Sequence, residues 1–232
     1  MTGVPPALGS LSALLLLTDG RFPAGSHAHS GGLEAAVVLE GVRDIAGLEA
    51  FLRGRLATVG TVAAAFTAAA CAAGAGMEAL RTLDDELEAR TPSPALRLAS
   101  RRLGRQLLRS GRKVWPHSTL EELAAALPKG PHQPVALGAV ASVAGLEPAA
   151  AARAAAHDAV VGPATAAVRL LGLDPFLVYA LLARLGGQLD EVAADAAAQT
   201  HVPPGELPAW GAPLLDVSTE RHATWEVRLF AS

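Results

Sequence analysis

The amino-acid sequence predicts an all-α protein, a single-domain bundle of about ten helices that ends in an irregular C-terminal tail. Helix start and stop signals recur along almost the whole chain, and alanine, the strongest helix former, is abundant. Alternating strand patterns are nearly absent, with Val227–Phe230 as the one short candidate for an extended segment. The 232 residues are 51% hydrophobic, which is enough for one sizeable core, and no linker divides 1–232 into two domains.

The first ninety residues contain four predicted helices. Residues 10–18 form a short apolar helix, and Asp44 caps a second one in which Ile45, Leu48, Phe51, Leu52 and Leu56 share a face. Val62–Ala75 is apolar on all sides, as expected of a buried central helix. Met77–Arg90 follows, with acidic residues in its middle.

Two strong capping signals mark the next helices. Ser93 followed by Pro94 opens a helix that should run to about Ser110 and end at Gly111. Ser118–Glu121 reads as a capping box, with Ser118 as the cap of a short helix that ends before Pro128.

The second half continues the helical pattern and then changes. Pro134–Ala144 and Pro148–Leu171 are predicted helices, with Gly162-Pro163 as a candidate break in the second, and Asp174-Pro175 opens another that reaches about Gln199. His201–Leu215 carries four prolines, so no regular helix is expected there. Residues 200–232 are therefore predicted to be an extended tail, and its aromatic and arginine-rich end should dock on the core or on a partner.

Bulk properties exclude several classes of protein. The formal charge of −3 gives no overall field for nucleic acid or an anionic membrane. No Lys or Arg precedes the apolar run Leu11–Leu17, which argues against a secretory signal. No apolar run reaches the ~20 residues that span a bilayer. The single cysteine, Cys71, forms no internal disulfide, and the cytoplasm is the expected compartment.

The loop at 21–34, RFPAGSHAHSGGLE, is the most distinctive stretch. His27 and His29 are spaced so that both imidazoles could bind one metal ion, although no third ligand is arranged nearby. Ser26 and Ser30 lack the pattern of a catalytic serine, and the chain has no Gly-Lys-Ser/Thr sequence for a nucleotide-binding P-loop. The structural interpretation is a rigid link between two packed helices, with Ser30 as a helix cap.

The helix that begins at Pro94 is rich in arginine. Arg97, Arg101 and Arg105 are four residues apart and share a face. They form either a basic surface for an acidic partner or phosphates, or a solvated face neutralised by the acidic helix before it. The histidines are dispersed and no pair of carboxylates forms an acid/base couple, so residue chemistry alone indicates no enzyme.

Four stretches, in order along the chain, resemble the urease accessory protein UreF family. They are FPAGSHAHSGGLE at 22–34, ASRRLG at 99–104 with Leu107, AAVRL at 166–170, and HATWEVRLFAS at 222–232. The resemblance extends from residue 22 to residue 232, nearly the whole chain.

The resemblance implies a non-enzymatic helper of urease maturation that is all-α and homodimeric. Such a protein bridges the urease-binding accessory protein, UreD or UreH, and the GTPase UreG, so that nickel is delivered to apo-urease. Nickel would be transient cargo, and no resident cofactor is implied. The residues that it marks as partner-binding are Pro23, Gly25, Ser30, Gly32, Glu34, Arg101, Arg169, His222, Trp225, Arg228, Leu229 and Phe230.

Two positions depart from the family pattern. His27 and His29 stand where aromatic residues are common in the family, so a histidine-dependent nickel-binding protein or metal enzyme is the alternative function. Ala223 follows His222 where a glutamate is frequent, so any role of that carboxylate cannot be carried over.

Overall fold

The fold is a bundle of α-helices in the computed structural model, which describes residues 10–25 and 29–230. Within these residues the helices are α1 (Ser10–Thr18), α2 (Leu33–Leu39), α3 (Ile45–Arg55), α4 (Thr61–Ala73), α5 (Met77–Arg90), α6 (Pro94–Val114), α7 (Ser118–Ala126), α8 (Gln133–Val143), α9 (Pro148–Leu171), α10 (Pro175–Ala198) and α11 (Pro213–Ala223). No strand occurs in the described part of the chain. The predicted all-α class is confirmed.

Helix α4 is the centre of the bundle. It packs against α5, α8, α9 and α10, and its sequence of alanines around Phe66 is buried on nearly every side. Small side chains allow close approach: a Cβ atom on Gly138 of α8 would lie 2.5 Å from the Thr67 carbonyl oxygen of α4. The prediction of a buried central helix is confirmed.

Helices α3 and α4 are joined by a π-helical turn at Leu56–Gly60 and form one helical stretch, Ile45–Ala73. This stretch is long and apolar enough to cross a membrane, contrary to the expectation from single apolar runs. Of its most apolar window, however, 61% is buried inside the fold, as in the core helix of a bundle.

Helix α6 extends beyond its predicted end. Gly111 does not terminate it, and the helix continues to Val114. A Cβ atom at Gly111 would lie 2.6 Å from Cγ2 of Val140, so this glycine lets α6 approach α8 closely. The sequence thus predicted the start of α6, but Gly111 serves helix packing rather than the capping of the helix end.

The cap of α7 is one residue earlier than predicted. Nδ1 of His117 accepts a hydrogen bond from the Thr119 N–H at 3.2 Å, so His117 is the cap and Ser118 is the first helical residue. A histidine ring nitrogen thus takes the acceptor role that a serine hydroxyl usually has at this position.

Helix α9 is not broken at Gly162-Pro163. Proline lacks the N–H that would bond to the carbonyl of residue 159, yet the helix runs unbroken through it. The Ala159 carbonyl instead accepts a hydrogen bond from Nε of Arg55 at 2.9 Å. A side chain from α3 therefore satisfies the group that the proline leaves free, which explains why the predicted break is absent.

The predicted extended tail at 200–232 contains a helix. Helix α11 starts at Pro213 as its first residue, where the missing N–H of proline has no intrahelical partner to lose. The stretch between α10 and α11 is irregular apart from a 3₁₀ turn at Pro204–Glu206. The segment after α11, 224–230, belongs to no regular element.

Candidate functional site

The loop between α1 and α2 lies against α6. The Pro23 carbonyl accepts hydrogen bonds from Oγ of Ser110 at 2.7 Å and from Nε2 of Gln106 at 3.3 Å. The ring of Phe22 stacks on Trp115 with 6.0 Å between centroids. The first part of the loop is therefore fixed on the body of the protein by polar and aromatic contacts.

The end of the loop passes close to α11. Gly31 and Gly32 have φ angles of 59° and 90°, which glycine adopts without strain. A Cβ atom at Gly32 would lie 2.2 Å from Cδ1 of Leu215 in α11. The glycine pair thus both turns the chain into α2 and lets α11 pack on the turn.

Ser30 supports the start of α2 without being its formal cap. The cap is Gly32, which has no side chain to accept a hydrogen bond. The buried Ser30 hydroxyl accepts a bond from the Glu34 N–H at 3.3 Å. The helix cap is therefore two residues later than the predicted Ser30, although the Ser30 hydroxyl still accepts a backbone N–H of the first turn.

Glu34 binds the end of the chain. The residue is only 6% exposed, and its carboxylate lies 3.0 Å from Nε2 of His222. It also accepts the Leu229 N–H at 2.8 Å and the Phe230 N–H at 3.0 Å. One buried carboxylate therefore receives a side chain of α11 and two backbone amides of the terminal segment. Hydrogen bonds to an ionised acceptor are among the stronger ones in proteins.

A second carboxylate holds α11 against α6. Oε1 of Glu220 accepts hydrogen bonds from the Ala95 N–H at 2.8 Å and from the Ser93 hydroxyl. These bonds, that of Ser93 first, lower the pKa of Glu220. Ser93 also accepts the Leu96 N–H, as its predicted capping role requires. Glu220 was not identified from the sequence, because no spacing rule connects it with residues more than a hundred positions away.

The terminal segment has an inner and an outer side. Phe230 is buried in the core, and His222 is fully buried with its ring 4.7 Å from that of Trp225. Arg228 is exposed, and Leu229 is 73% exposed. His222 and Phe230 thus hold the segment, whereas Arg228 and Leu229 face outward, where another molecule could bind them.

Arg101 lies in an internal network rather than at this site. Its guanidinium binds Asp84 at 2.9 Å, Glu88 at 2.6 Å and the Gly130 carbonyl at 2.8 Å. Glu88 in turn lies 2.9 Å from Nε2 of the buried His132, whose pKa is lowered by burial. The structure therefore gives Arg101 a role in joining α5, α6 and the loop before α8.

Arg169 is exposed on α9 at the edge of a cavity of about 240 Å³ that Phe230 also lines. His157 and Asp158 also line this cavity, and burial raises the pKa of Asp158 and lowers that of His157. Asp158 accepts a hydrogen bond from Nε2 of Gln133 at 3.1 Å. Of the predicted site residues, Arg169 and Phe230 thus meet at one cavity, while Arg101 does not reach it.

The metal hypothesis concerns a part of the loop that lies only partly within the described residues. His27 falls there, together with Ser26, whereas His29 is half-buried beside the cavity. Among residues 10–25 and 29–230, no three or more His, Cys, Asp or Glu side chains form a group that could hold a metal ion. The pair His27 and His29 stays a prediction.

The family model and the similar proteins found by comparison all indicate the UreF family. The family model of UreF matches residues 42–186. The urease accessory protein UreF of Mycobacterium sp. strain JLS is 45% identical over 223 residues, which cover 96% of this chain and 99% of that protein. The proteins of the same name from Mycolicibacterium vanbaalenii and Mycobacterium tuberculosis H37Rv are 42% identical over 97% and 40% identical over 96% of this chain, covering 100% and 99% of their own lengths.

Proposed function

This chain belongs to the UreF family of urease accessory proteins, and from that premise we propose that it is a scaffold for the maturation of urease. It bridges the urease-binding accessory protein, UreD or UreH, and the GTPase UreG while nickel is inserted into apo-urease. Nickel is the cargo of this assembly. The chain makes and breaks no covalent bond and works in the cytoplasm.

The observation that carries this proposal is the junction at Glu34. It joins two of the stretches that resemble the family, the loop at 22–34 and the terminal segment, which are 188 residues apart at the hydrogen bond to His222. The junction fixes the backbone of Leu229 and leaves its side chain outside. An ordered segment with an exposed leucine beside an exposed arginine has the composition of an interface.

A homodimer also has support on the surface. Leu11 and Leu15 of α1 are 67% and 63% exposed, and Leu16 lies beside them. Adjacent exposed leucines on one short helix favour contact with another protein surface. We propose that a second copy of the chain covers them.

The scaffold role is tested by producing urease with its accessory proteins, with and without this chain, and measuring nickel in the purified urease. The expected result is nearly nickel-free urease when the chain is missing. Restoration by the wild-type chain is the positive control. Full metallation of urease without this chain would contradict the proposal.

A second experiment separates the scaffold from the histidine alternative. The isolated wild-type chain and the variant His27→Ala/His29→Ala are compared for bound nickel by equilibrium dialysis. A scaffold binds no stoichiometric nickel alone, and the variant still supports metallation. One nickel per chain that is lost in the variant, together with lost metallation, would favour the alternative.

A further inference from the structure

The outer side of α6 is a row of cations. Arg102, Arg105, Arg109 and Lys113 are all exposed, and their spacing of three and four residues puts them on one side of the helix. We call these four residues the basic face. At a rise of 1.5 Å per residue it extends for about 16 Å along the helix.

The basic face differs from the other cations of α6 in its lack of ion pairs. Arg97 and Arg101 pair with Glu88 of α5, and Arg112 pairs with Glu121 of α7. Over residues 10–25 and 29–230, no acidic side chain forms an ion pair with any of the four residues of the basic face. The acidic helix therefore neutralises only part of the basic surface predicted from the sequence.

The internal structure of the protein does not account for this arrangement. Like charges three or four positions apart repel each other and destabilise a helix. The helix dipole favours cations only in the last turn, which explains Lys113 but not Arg102 or Arg105 in the middle of α6. A binding surface for an oppositely charged molecule explains all four.

The basic face borders the candidate site. Gln106, which lies beside Arg102 and Arg109 on the helix surface, donates a hydrogen bond to the Pro23 carbonyl of the loop. A Cβ atom at Gly25 would lie 3.5 Å from Cγ of Gln106. The four cations and the loop thus form one continuous surface.

We propose that the basic face is an electrostatic docking surface for a carboxylate-rich face of a protein partner, continuous with the loop at 21–25. The inference rests on the proposed function, because the partner is one of the urease maturation proteins. A row of carboxylates along one helix or strand fits a row of cations of this length.

Two other classes of ligand fit less well. A nucleic acid needs a wider basic field than one helix face, and this chain has a net charge of −3. A membrane surface needs an exposed apolar stripe beside the cations, whereas α6 has only two separate exposed apolar side chains, Leu98 and Val114, and its Leu107 and Leu108 are buried in the core. A protein with a narrow acidic face satisfies both observations.

The test compares two double variants with equal changes in charge. Arg105→Gln/Arg109→Gln alters the basic face. Arg43→Gln/Arg81→Gln alters two exposed arginines, one in the loop before α3 and one on α5, which also form no ion pair within the described residues. Association rates are measured with purified UreD or UreH, UreG and apo-urease at increasing salt. A DNA duplex and vesicles of phosphatidylserine with phosphatidylcholine are measured in parallel.

For one of the three proteins, we expect Arg105→Gln/Arg109→Gln to slow association at low salt by about 3- to 10-fold, since charges at an interface act mainly on the association rate. The control variant should match the wild type, and the difference should vanish at about 0.5 M salt. Equal rates for both variants with every protein would overturn the inference, as would an effect confined to DNA or vesicles. If the wild type binds none of the three proteins, the proposed function fails first and this inference fails with it.

Discussion

At the scale of single residues, Glu34 is the group on which the site depends. Glu34 is buried, and a buried carboxylate is stable only where hydrogen-bond donors replace the water that it has lost. Here His222 and the amides of Leu229 and Phe230 supply them. The conformation of the terminal segment is thus coupled to one side chain on α2.

The substitution Glu34→Gln tests this coupling. The amide has one acceptor oxygen and adds an N–H group that faces existing donors, so we expect a loss of about 1–3 kcal/mol in the free energy of unfolding. Hydrogen exchange of the Leu229 and Phe230 amides should become much faster. Glu40→Gln, at an exposed position just after α2, is the matched control and should leave both quantities unchanged. Unchanged protection of the two amides in Glu34→Gln would refute the coupling.

The sequence identified several of these residues but not their contacts. Glu34, His222 and Phe230 were marked through the family resemblance, and the structure joins them. Arg101 was marked in the same way, yet its partners Asp84 and Glu88 make it an internal residue. A sequence motif identifies residues that belong to the family pattern. It does not predict whether they are buried or which atoms they contact, because both depend on how distant elements pack.

At the scale of elements, α11 is held by contacts that no local rule contains. Its Glu220 accepts hydrogen bonds at the first turn of α6, where backbone N–H groups have no partner within the helix. A carboxylate also interacts favourably with the positive end of the helix dipole. The docking of α11 thus uses the same chemistry as a helix cap, supplied from another part of the chain.

This docking should depend on pH. The pKa of Glu220 is lowered from its ordinary value of 4.5, so the unfolded state binds the proton more readily. Its contribution to stability is therefore complete above about pH 4.5 and is lost as the pH falls through the lowered value. Urea unfolding should show Glu220→Gln less stable than the wild type at pH 7, with a gap that narrows towards pH 3.

The isosteric control for this experiment is Glu226→Gln, an exposed glutamate in the segment after α11. It should unfold like the wild type at every pH. A gap between Glu220→Gln and the wild type that stays constant from pH 7 to pH 3 would show that the carboxylate charge does not hold α11.

Local sequence signals predicted most helix boundaries because caps and prolines act within one turn. They failed where tertiary contacts satisfied the backbone. Arg55 donates a hydrogen bond to the Ala159 carbonyl, which Pro163 leaves without a donor, so Pro163 does not break α9. Gly111 packs against Val140 and does not end α6. The prolines of 201–215 suggested an irregular tail, but Pro213 stands at the first position of α11, where its missing N–H costs no intrahelical hydrogen bond.

At the scale of the whole molecule, the helical bundle supports the terminal segment after α11, which is exposed on one side. The all-α class was predictable because helical periodicity and alanine content are summed over the entire chain. The position of the terminal segment was not, because it depends on a hydrogen bond across 188 residues. A scaffold needs a rigid helical body, and it needs surface residues that this body holds in a fixed geometry.

The most direct test of the scaffold role is the affinity of this chain for UreD or UreH in the variant Arg228→Ala/Leu229→Ala. These side chains face outward, so the fold should survive, and the circular dichroism spectrum should match that of the wild type. Arg43→Ala/Leu177→Ala, which removes an exposed arginine and an exposed leucine elsewhere, is the control. We expect the first variant to bind at least about 30-fold more weakly, as for loss of an interface hot spot, and the control to bind like the wild type. Equal affinity of the two variants would contradict the account.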